Sequence, residues 1–333
     1  MKHANIAFFI PHIGCPNKCS FCNQHTISGK KEIPNADDIK SVLSEVTERM
    51  SYEEAAKSEI AFFGGSFTAI EREYMIELLD AAAPFVGEGK IGGIRISTRP
   101  DAIDDEVLGI LKKYNVTSIE LGAQSMRDEV LLKNMRGHTA EDVVRASNLI
   151  KKYGFSLGLQ MMTGLYYDDD LGAIETANRI IALKPDTVRI YPTVVLDGTY
   201  LGELFKKGKY LPQSLDETVS LCANLIDMFE ENRIKVIRVG LHDQPDIKEK
   251  FLSGAYHPAL GELISGERFY KKAILLFKES NLEKGKVNTA VNPACLSQMI
   301  GQKKKNIIRL KNDGYDVTVI GDNSLDISEI KLI

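Results

Sequence analysis

The chain has 333 residues, of which 44% are apolar, and a formal net charge of −4. Its length exceeds the usual size of one domain, so we expect one large domain with an appendage. No apolar run approaches the roughly 18 residues of a membrane span, and the first residues lack the basic and apolar segments of a secretory signal. With five cysteines, three of them clustered, the composition suits a reducing compartment, and we expect a cytoplasmic protein with no membrane partner. The small net charge neither requires nor excludes a polyanionic partner.

Short apolar runs alternate with longer amphipathic segments over the first 191 residues. The predicted strands cover residues 5–10, 59–63, 93–97, 117–121, 156–160 and 187–191. The predicted helices between them lie near residues 36–50, 70–83, 103–114, 139–153 and 170–183. Strands separated by helix-length crossovers predict a parallel sheet built from right-handed βαβ units. Six such units form an open barrel more readily than a closed one. The predicted fold class is therefore α/β, a (β/α)6 partial TIM barrel.

Beyond residue 191 the alternation loosens. The pattern predicts a helix over 215–232, a seventh strand over 235–240, a loop over 253–262, a helix over 267–280, and strands over 315–320 and 324–327. We therefore predict two domains: the partial barrel over residues 1–245 and a small α+β extension over residues 246–333.

Three cysteines stand close together directly after the first predicted strand, at Cys15, Cys19 and Cys22. Three thiolates in this C-x3-C-x2-C spacing can hold three irons of a [4Fe–4S] cluster and leave the fourth iron without a protein ligand. A structural zinc site is the alternative, but zinc takes four ligands, usually from two pairs. The remaining Cys222 and Cys295 stand alone and far away, so the sequence favours the cluster.

The cysteine spacing, with Phe21 just before the last cysteine, resembles the radical S-adenosylmethionine (SAM) superfamily. The resemblance implies that SAM chelates the open iron and that Cys15, Cys19 and Cys22 are the metal-binding and catalytic residues. Reductive cleavage of SAM would then give methionine and a 5′-deoxyadenosyl radical, which abstracts hydrogen from a substrate in the barrel lumen. It also implies an electron donor such as flavodoxin or ferredoxin.

Polar segments follow the later strands, at the end of the sheet where parallel α/β proteins bind ligands. By the same resemblance, the amino group of SAM meets the backbone of Gly64, Gly65 and Ser66. Further SAM-binding positions implied by the resemblance are Phe21, Ser97, Gln124, Arg136 and Gln160. An arginine suits the carboxylate of SAM because its guanidinium can donate two parallel hydrogen bonds. Taken singly, these residues have ordinary alternatives: a turn for the glycines, and a solvated polar group or helix cap for the others.

Longer segments resemble, more specifically, the radical SAM region of the catalytic subunit family of Elongator. These segments are residues 97–101, 119–125, 134–139, 188–192 and 257–262. The first cysteine gap is narrower than in that family, and we expect no acetyltransferase domain. We therefore expect RNA modification, most directly of tRNA, without the acetyl-CoA-dependent reaction. A small-molecule substrate, such as a tetrapyrrole or metabolite, is the alternative of the same class. A non-catalytic cluster-binding or RNA-binding accessory protein is the alternative of another class.

The segment 285–312 contains basic residues but no Asp or Glu. Within it, Ile300–Ile307 resembles the Ile-Gly-x-x-Gly-x-x-Ile loop of KH domains, which grips the backbone of nucleotides. Lys304 replaces the second glycine, which weakens close backbone approach but adds charge. The tentative nucleic-acid contacts are Lys303, Lys304, Lys305 and Arg309. A solvated, lysine-rich helix start is the alternative.

Overall fold

The computed structural model describes residues 5–10, 15, 18–23, 26–27 and 32–333. The chain divides into two compact units. The barrel unit comprises Met1–Gln213 and Phe229–Ala255, and the C-terminal unit comprises Ser214–Met228 and Tyr256–Ile333. The predicted boundary after residue 245 falls before the break at Ala255, because the segment Phe251–Gly254 forms a strand that pairs inside the barrel unit. A division of roles between the two units stays a prediction.

The six strands and five helices predicted for the first 191 residues are present in the predicted order, and the structure adds short elements that the pattern did not predict. The strands of the barrel unit are β1 (Asn5–Ile10), β2 (Glu59–Gly64), β3 (Gly93–Thr98), β4 (Val116–Gln124), β5 (Ser156–Thr163), β6 (Thr187–Pro192), β7 (Val194–Leu196), β8 (Lys235–Val239) and β9 (Phe251–Gly254). The helices that precede the C-terminal unit's sheet are α1 (Ala36–Arg49), α2 (Tyr52–Ala56), α3 (Arg72–Ala82), α4 (Asp105–Lys113), α5 (Asp128–Lys133), α6 (Ala140–Lys152), α7 (Asp170–Ala182), α8 (Tyr200–Lys206), α9 (Leu215–Glu231), α10 (Pro245–Lys250) and α11 (Leu260–Glu279).

Seven parallel strands form a curled half-barrel sheet in the order β1-β2-β3-β4-β5-β6-β8. The predicted partial barrel is therefore confirmed, including its seventh strand. The short strands β7 and β9 pair antiparallel apart from this sheet. Within the described residues, no helix combines the length and the apolar composition that crossing a bilayer requires.

The helices of the barrel begin where capping residues satisfy their first backbone N–H groups. Asn35 and Thr139 each form a capping box, at the start of α1 and α6, and Asp169 caps α7. Such caps offset the unpaired donors of a helix start. Local sequence therefore sets where these helices begin.

The central strands carry apolar and polar residues on opposite faces, because successive side chains of a strand point to opposite sides. On β4, Ile119 and Leu121 are fully buried. The alternate residues Glu120, Gly122 and Gln124 instead line an internal cavity. The sheet thus has one face that packs in the core and one that faces the lumen.

The C-terminal unit contains a three-stranded sheet in the order β11-β10-β12. Its elements after α11 are β10 (Gly285–Val291), α12 (Leu296–Ile300), α13 (Lys305–Asn312), β11 (Tyr315–Gly321) and β12 (Ile330–Leu332). Strand β10 pairs parallel with β11 and antiparallel with β12. Its core is a cluster that includes Phe277, Val291, Met299 and Leu310.

Two predictions in this half of the chain were wrong. Residues 324–327 are not a strand, because Asp322 accepts hydrogen bonds from the backbone N–H and hydroxyl of Ser324 and holds a turn there. The segment 253–262 is not a loop throughout: β9 ends at Gly254, and helix α11 begins at Leu260, earlier than the predicted residue 267.

Candidate active site

A cavity of about 280 Å³ opens in the barrel unit at the carboxyl ends of the strands. This is close to the size of small-ligand pockets, which are mostly 300–1,000 Å³. All the residues predicted to bind the cluster or SAM line it, namely Cys15, Cys19, Phe21, Cys22, Gly64, Gly65, Ser66, Ser97, Gln124, Arg136 and Gln160. The structure thus brings together residues that lie up to 145 positions apart in the sequence.

Hydrogen bonds attach the cysteine loop, described at Cys15 and residues 18–23, to the barrel. The Ser20 hydroxyl donates to Asn134 Oδ1 at 2.7 Å, and the Ser20 N–H donates to the Asn134 carbonyl at 3.1 Å. Asn134 in turn donates from Nδ2 to the Tyr166 carbonyl at 2.8 Å. On the other side, the Leu201 N–H donates to the Ser20 carbonyl at 2.8 Å. Both Ser20 and Asn134 are fully buried, so the loop has a fixed base.

The three cysteines are held close enough to affect one another electrostatically. Burial and the negative charges of Cys19 and Cys15 raise the pKa of Cys22 to about 12, and the Arg136 guanidinium opposes them. A set of thiolates here therefore needs a positive centre among them, as a metal cluster provides. Among the described residues, no three His, Cys, Asp or Glu side chains converge as they would around a single metal ion. The donor set fits a cluster, in which each cysteine binds a different iron, better than a lone zinc ion.

Arg136 and Gln124 present unpartnered polar atoms within the cavity wall. The Arg136 Nη1 donates to Cys19 Sγ at 3.1 Å and its Nη2 to the Gly122 carbonyl at 2.7 Å. Its Nε is buried without a hydrogen-bond partner in the described protein, and so is Gln124 Oε1. Gln124 also has a left-handed backbone, with φ of +65°. Buried polar atoms are rarely left unpaired, so both atoms point to a polar ligand in this cavity.

The end of β2 depends on glycine. Gly64 has φ of +104°, and a Cβ placed on it would lie 2.9 Å from the Ile10 carbonyl oxygen. The Ser66 hydroxyl accepts a hydrogen bond from the Arg99 N–H at 2.8 Å and lies 3.0 Å from the Thr98 hydroxyl. Ser66 therefore joins the ends of β2 and β3, a structural role that its motif alone did not predict.

A buried charge network covers the lumen face below these residues. Arg189 donates to both carboxylate oxygens of Glu120, at 2.7 and 2.8 Å. Arg95 bridges Glu120, at 3.1 Å, and Glu59, at 2.7 Å. The Gln160 amide donates to Glu120 at 2.8 Å, with Ser97 Oγ at a longer 3.4 Å. Burial opposes the charge of Arg189, but hydrogen bonding and ion pairing with Glu120 raise its pKa overall.

Arg99 does not join this network, because it forms a two-pronged ion pair with Asp101, at 2.8 and 2.7 Å. Phe21 packs against two buried apolar clusters, one containing Leu201 and the other Leu165, besides lining the cavity.

Several cavity residues were missed by the sequence analysis. They include Phe9, Lys18, Phe63, Leu241, His242 and Gln244. The alternation of β1 and β2 would have pointed to Phe9 and Phe63, since both share a face with other lumen positions. Nothing in the local sequence marks His242 as a cavity residue.

The tentative nucleic-acid residues lie in the C-terminal unit, with Lys303 and Lys304 at the turn between α12 and α13 and Lys305 and Arg309 in α13. Lys303 and Lys304 have left-handed backbones, with φ of 53° and 62°, and no carboxylate of the described residues lies within 4 Å of them. Lys305 instead pairs with Asp216 at 2.7 Å. Arg309 pairs with Glu267 and lies 3.6 Å over the ring of Tyr270. Two of the four cations are thus engaged within the unit.

Comparison with known families agrees with this architecture. The family model of the radical SAM superfamily matches residues 9–180, and that of the radical SAM C-terminal domain matches residues 185–268. The chain therefore belongs to the radical SAM superfamily and is a radical SAM enzyme. The cofactors of this superfamily are SAM and a [4Fe–4S] cluster.

Named relatives belong to one branch of that superfamily. The tRNA uridine(34) acetyltransferase of Methanocaldococcus jannaschii is 31% identical over 185 residues, which cover 50% of this chain and 34% of that protein. Elongator complex protein 3 of Homo sapiens is 31% identical over 228 residues, covering 62% of this chain and 41% of that protein. The match thus spans about a third to two fifths of these relatives.

A solved structure shares the fold. The Elp3 protein of Methanocaldococcus infernus, without its N-terminal residues 1–46, superposes with a TM-score of 0.63 at 22% identity. The match covers 84% of this chain and 64% of that one. The two proteins therefore share a fold.

Proposed function

We propose that this chain is a radical SAM enzyme that modifies RNA, most directly tRNA. The observation that carries the proposal is its likeness to tRNA uridine(34) acetyltransferase over 185 residues and to Elongator complex protein 3 over 228 residues. Because the chain matches only part of those proteins, the modification itself need not be theirs.

In this proposal Cys15, Cys19 and Cys22 hold the cluster, and an electron donor such as flavodoxin or ferredoxin reduces it. Arg136 already donates a hydrogen bond to Cys19 Sγ, so its charge would stabilise the thiolate state that a cluster requires. When bound, the cluster and SAM would supply the 5′-deoxyadenosyl radical that abstracts hydrogen from the substrate.

The residues of the cavity wall would orient SAM. The unpartnered Arg136 Nε suits a carboxylate, and Gln124 Oε1 suits a hydroxyl or ammonium donor. The backbone at Gly64 and Gly65 and the polar pair Ser97 and Gln160 would complete the contacts. Phe9, Phe63 and Met162 line the same cavity and would help to exclude water from the reaction.

The exposed Lys303 and Lys304 add support from the C-terminal unit. They lie in a turn between two helices that is flanked by the parallel strands β10 and β11. Two unpaired cations at one turn suit contact with phosphates.

The test compares the nucleosides of total tRNA, by liquid chromatography and mass spectrometry, from cells with the protein, without it, and with its Cys19→Ala variant. We expect one modified nucleoside to be absent from the last two samples. In parallel, reconstituted protein reduced with dithionite should form 5′-deoxyadenosine from SAM, and tRNA should stimulate it.

Unchanged nucleosides together with 5′-deoxyadenosine formation on addition of a small-molecule fraction would instead identify a small-molecule enzyme. An intact cluster that yields no 5′-deoxyadenosine under any condition would identify an accessory protein.

A further inference from the structure

The buried charge network of the lumen face has an excess of positive side chains at β8, the last strand of the sheet. Glu59, Arg95, Glu120 and Arg189 follow one another across β2, β3, β4 and β6 and pair among themselves. The register of the sheet then places Arg238 of β8 beside Arg189. Paired residues of neighbouring parallel strands share a face, so Arg238 belongs to the lumen side of the sheet. Along this row two carboxylates therefore meet three guanidiniums.

Arg238 has no acidic partner within the described part of the chain. Its Nε donates to the Gly240 carbonyl at 2.9 Å, and no described carboxylate lies within 4 Å of the guanidinium. The terminal nitrogens Nη1 and Nη2 have no protein acceptor there. The side chain is half-buried, and burial lowers its pKa, with Tyr191 opposing and Arg189 adding to the effect. A half-buried guanidinium that has no carboxylate partner in the described protein is a position that an anionic ligand can neutralise.

The segment that follows β8 contributes to the cavity wall, and Arg238 lies next to that wall on the preceding strand. Leu241, His242 and Gln244 line the cavity together with Arg189 and Tyr191. Burial and the positive charges of Arg238 and Arg189 lower the pKa of His242. Two guanidiniums, that of Arg189 in the wall and that of Arg238 beside it in the sheet, thus place positive charge at this end of the cavity. The cysteine loop and Arg136 belong to the wall assigned to SAM, so the β8 end is available to the substrate.

We propose that Arg238 and His242 form an anion subsite that binds a phosphate group of the substrate at the β8 end of the cavity. The two free Nη atoms of Arg238 would donate to two phosphate oxygens, a geometry that guanidinium favours. Neutral His242 would add one donor. The source of the phosphate rests on the proposed function: there it is the backbone of an RNA, whereas a phosphorylated metabolite offers the same group.

The first experiment measures thermal unfolding of the reconstituted full-length protein in inorganic phosphate and in chloride at matched ionic strength. A ligand that binds only the folded state raises the Tm. We expect phosphate to raise the Tm of wild type and of Lys235→Gln, an exposed lysine on the same strand. Arg238→Gln should lose most of this increment, whatever its Tm in chloride.

The second experiment compares the binding of single-stranded RNA and of a nucleoside monophosphate by the same three proteins. For RNA, loss of one phosphate contact lowers the slope of log K against log salt by about 1, which we expect for Arg238→Gln but not for Lys235→Gln. Weakened nucleotide binding by Arg238→Gln, with an unchanged RNA slope, would assign the subsite to a small phosphate ester.

An Arg238→Gln variant that keeps the full phosphate increment, or an acetate increment larger than that of phosphate in wild type, would overturn the subsite. The two proposals fail separately. If phosphate raises the Tm only when Arg238 is present, but the protein neither binds tRNA nor changes its nucleosides, the subsite is retained and the RNA substrate is removed. If tRNA is modified but the phosphate increment in Tm does not depend on Arg238, the RNA substrate is retained and the subsite is removed.

Discussion

Arg136 connects the cysteine loop to the barrel wall, since one guanidinium donates to Cys19 Sγ and to the Gly122 carbonyl. The same side chain retains a buried Nε without a partner in the described protein. A single residue thus contacts a proposed cluster ligand and faces the proposed SAM pocket. This arrangement makes the cysteine positions the most direct test of the site.

We predict that Cys19→Ala abolishes the brown cluster absorbance of an anaerobic preparation, because two thiolates cannot hold the cube as three do. Cys222→Ala is the matched control, since Cys222 is buried in helix α9 far along the chain. The control should keep both the absorbance and the iron content. Full absorbance in Cys19→Ala would remove the ligand assignment.

His138 makes folding sensitive to acid. Burial and the nearby Arg136 charge lower the pKa of His138 from 6.5 to about 4. Between these values the unfolded chain binds a proton that the folded protein excludes, so stability falls as pH falls below 6.5. The loss between pH 7 and pH 5 should be about 2 kcal/mol.

The corresponding experiment is urea unfolding at pH 7, 6 and 5 for wild type and His138→Gln. The glutamine can still donate to the Ala123 carbonyl, the acceptor of His138 Nε2 at 3.2 Å. The free energy of unfolding should depend less on pH in the variant. Equal pH dependence in the two proteins would show that His138 does not titrate in this way.

Residues tied to a motif could be predicted from the sequence, whereas residues placed by register could not. Cys15, Gln124 and Arg136 were found because spacing and resemblance assign them together. Arg238 and His242 escaped because their position depends on a register shift between β6 and β8, at Val188/Arg189, which no local pattern encodes.

At the scale of elements, the junction between β1 and β2 limits the geometry of the site. Gly64 lies opposite Ile10 in the sheet, and its left-handed backbone turns the chain toward Gly65, whose N–H donates to the Ile10 carbonyl at 2.6 Å. A side chain here would meet both a strained φ and a backbone oxygen.

We therefore predict that Gly64→Ala lowers the free energy of unfolding by about 1–3 kcal/mol. Gly109→Ala is the matched control, because Gly109 lies within helix α4 and a Cβ there meets nothing within 4 Å. The control should stabilise the protein by about 0.5–1 kcal/mol. Thermal or urea unfolding measures both, and equal effects would contradict the assigned role of Gly64.

Strands and helices with strong periodicity could be predicted from the sequence. In the C-terminal sheet, some strands could not be predicted. Strand β10 was missed because Lys286 and Asn288 interrupt its apolar residues, although both are exposed and their neighbours Val287 and Thr289 are buried. The reverse error arose at residues 324–327, where alternation resembled a strand but a side-chain hydrogen bond to the backbone favoured a turn.

At the scale of the whole molecule, a net charge of −4 coexists with local cationic sites. Affinity for a polyanion depends on such local groups and not on the total. The lysines of the C-terminal turn divide into exposed and ion-paired members, which gives an internal control.

We predict that Lys303→Ala with Lys304→Ala weakens binding of bulk tRNA and lowers its salt dependence without a change in Tm. Arg309→Ala should instead lower the Tm, because it removes a pair with Glu267 and a contact with Tyr270. Binding titrations at several salt concentrations and thermal unfolding separate the two effects. Undiminished binding by the double variant would mean that this turn is a solvated helix start.

The first and last strands of the seven-stranded sheet, β1 and β8, do not pair with each other in the described part of the chain. A closed ring of eight strands admits its ligand only through an end, whereas this sheet leaves a seam along its flank. Under the proposed function, an RNA that approached along this edge would present a single nucleotide, with no free terminus to thread. Since Arg238 lies on the strand that borders the seam, it would be among the first groups that a polyanion meets on entry.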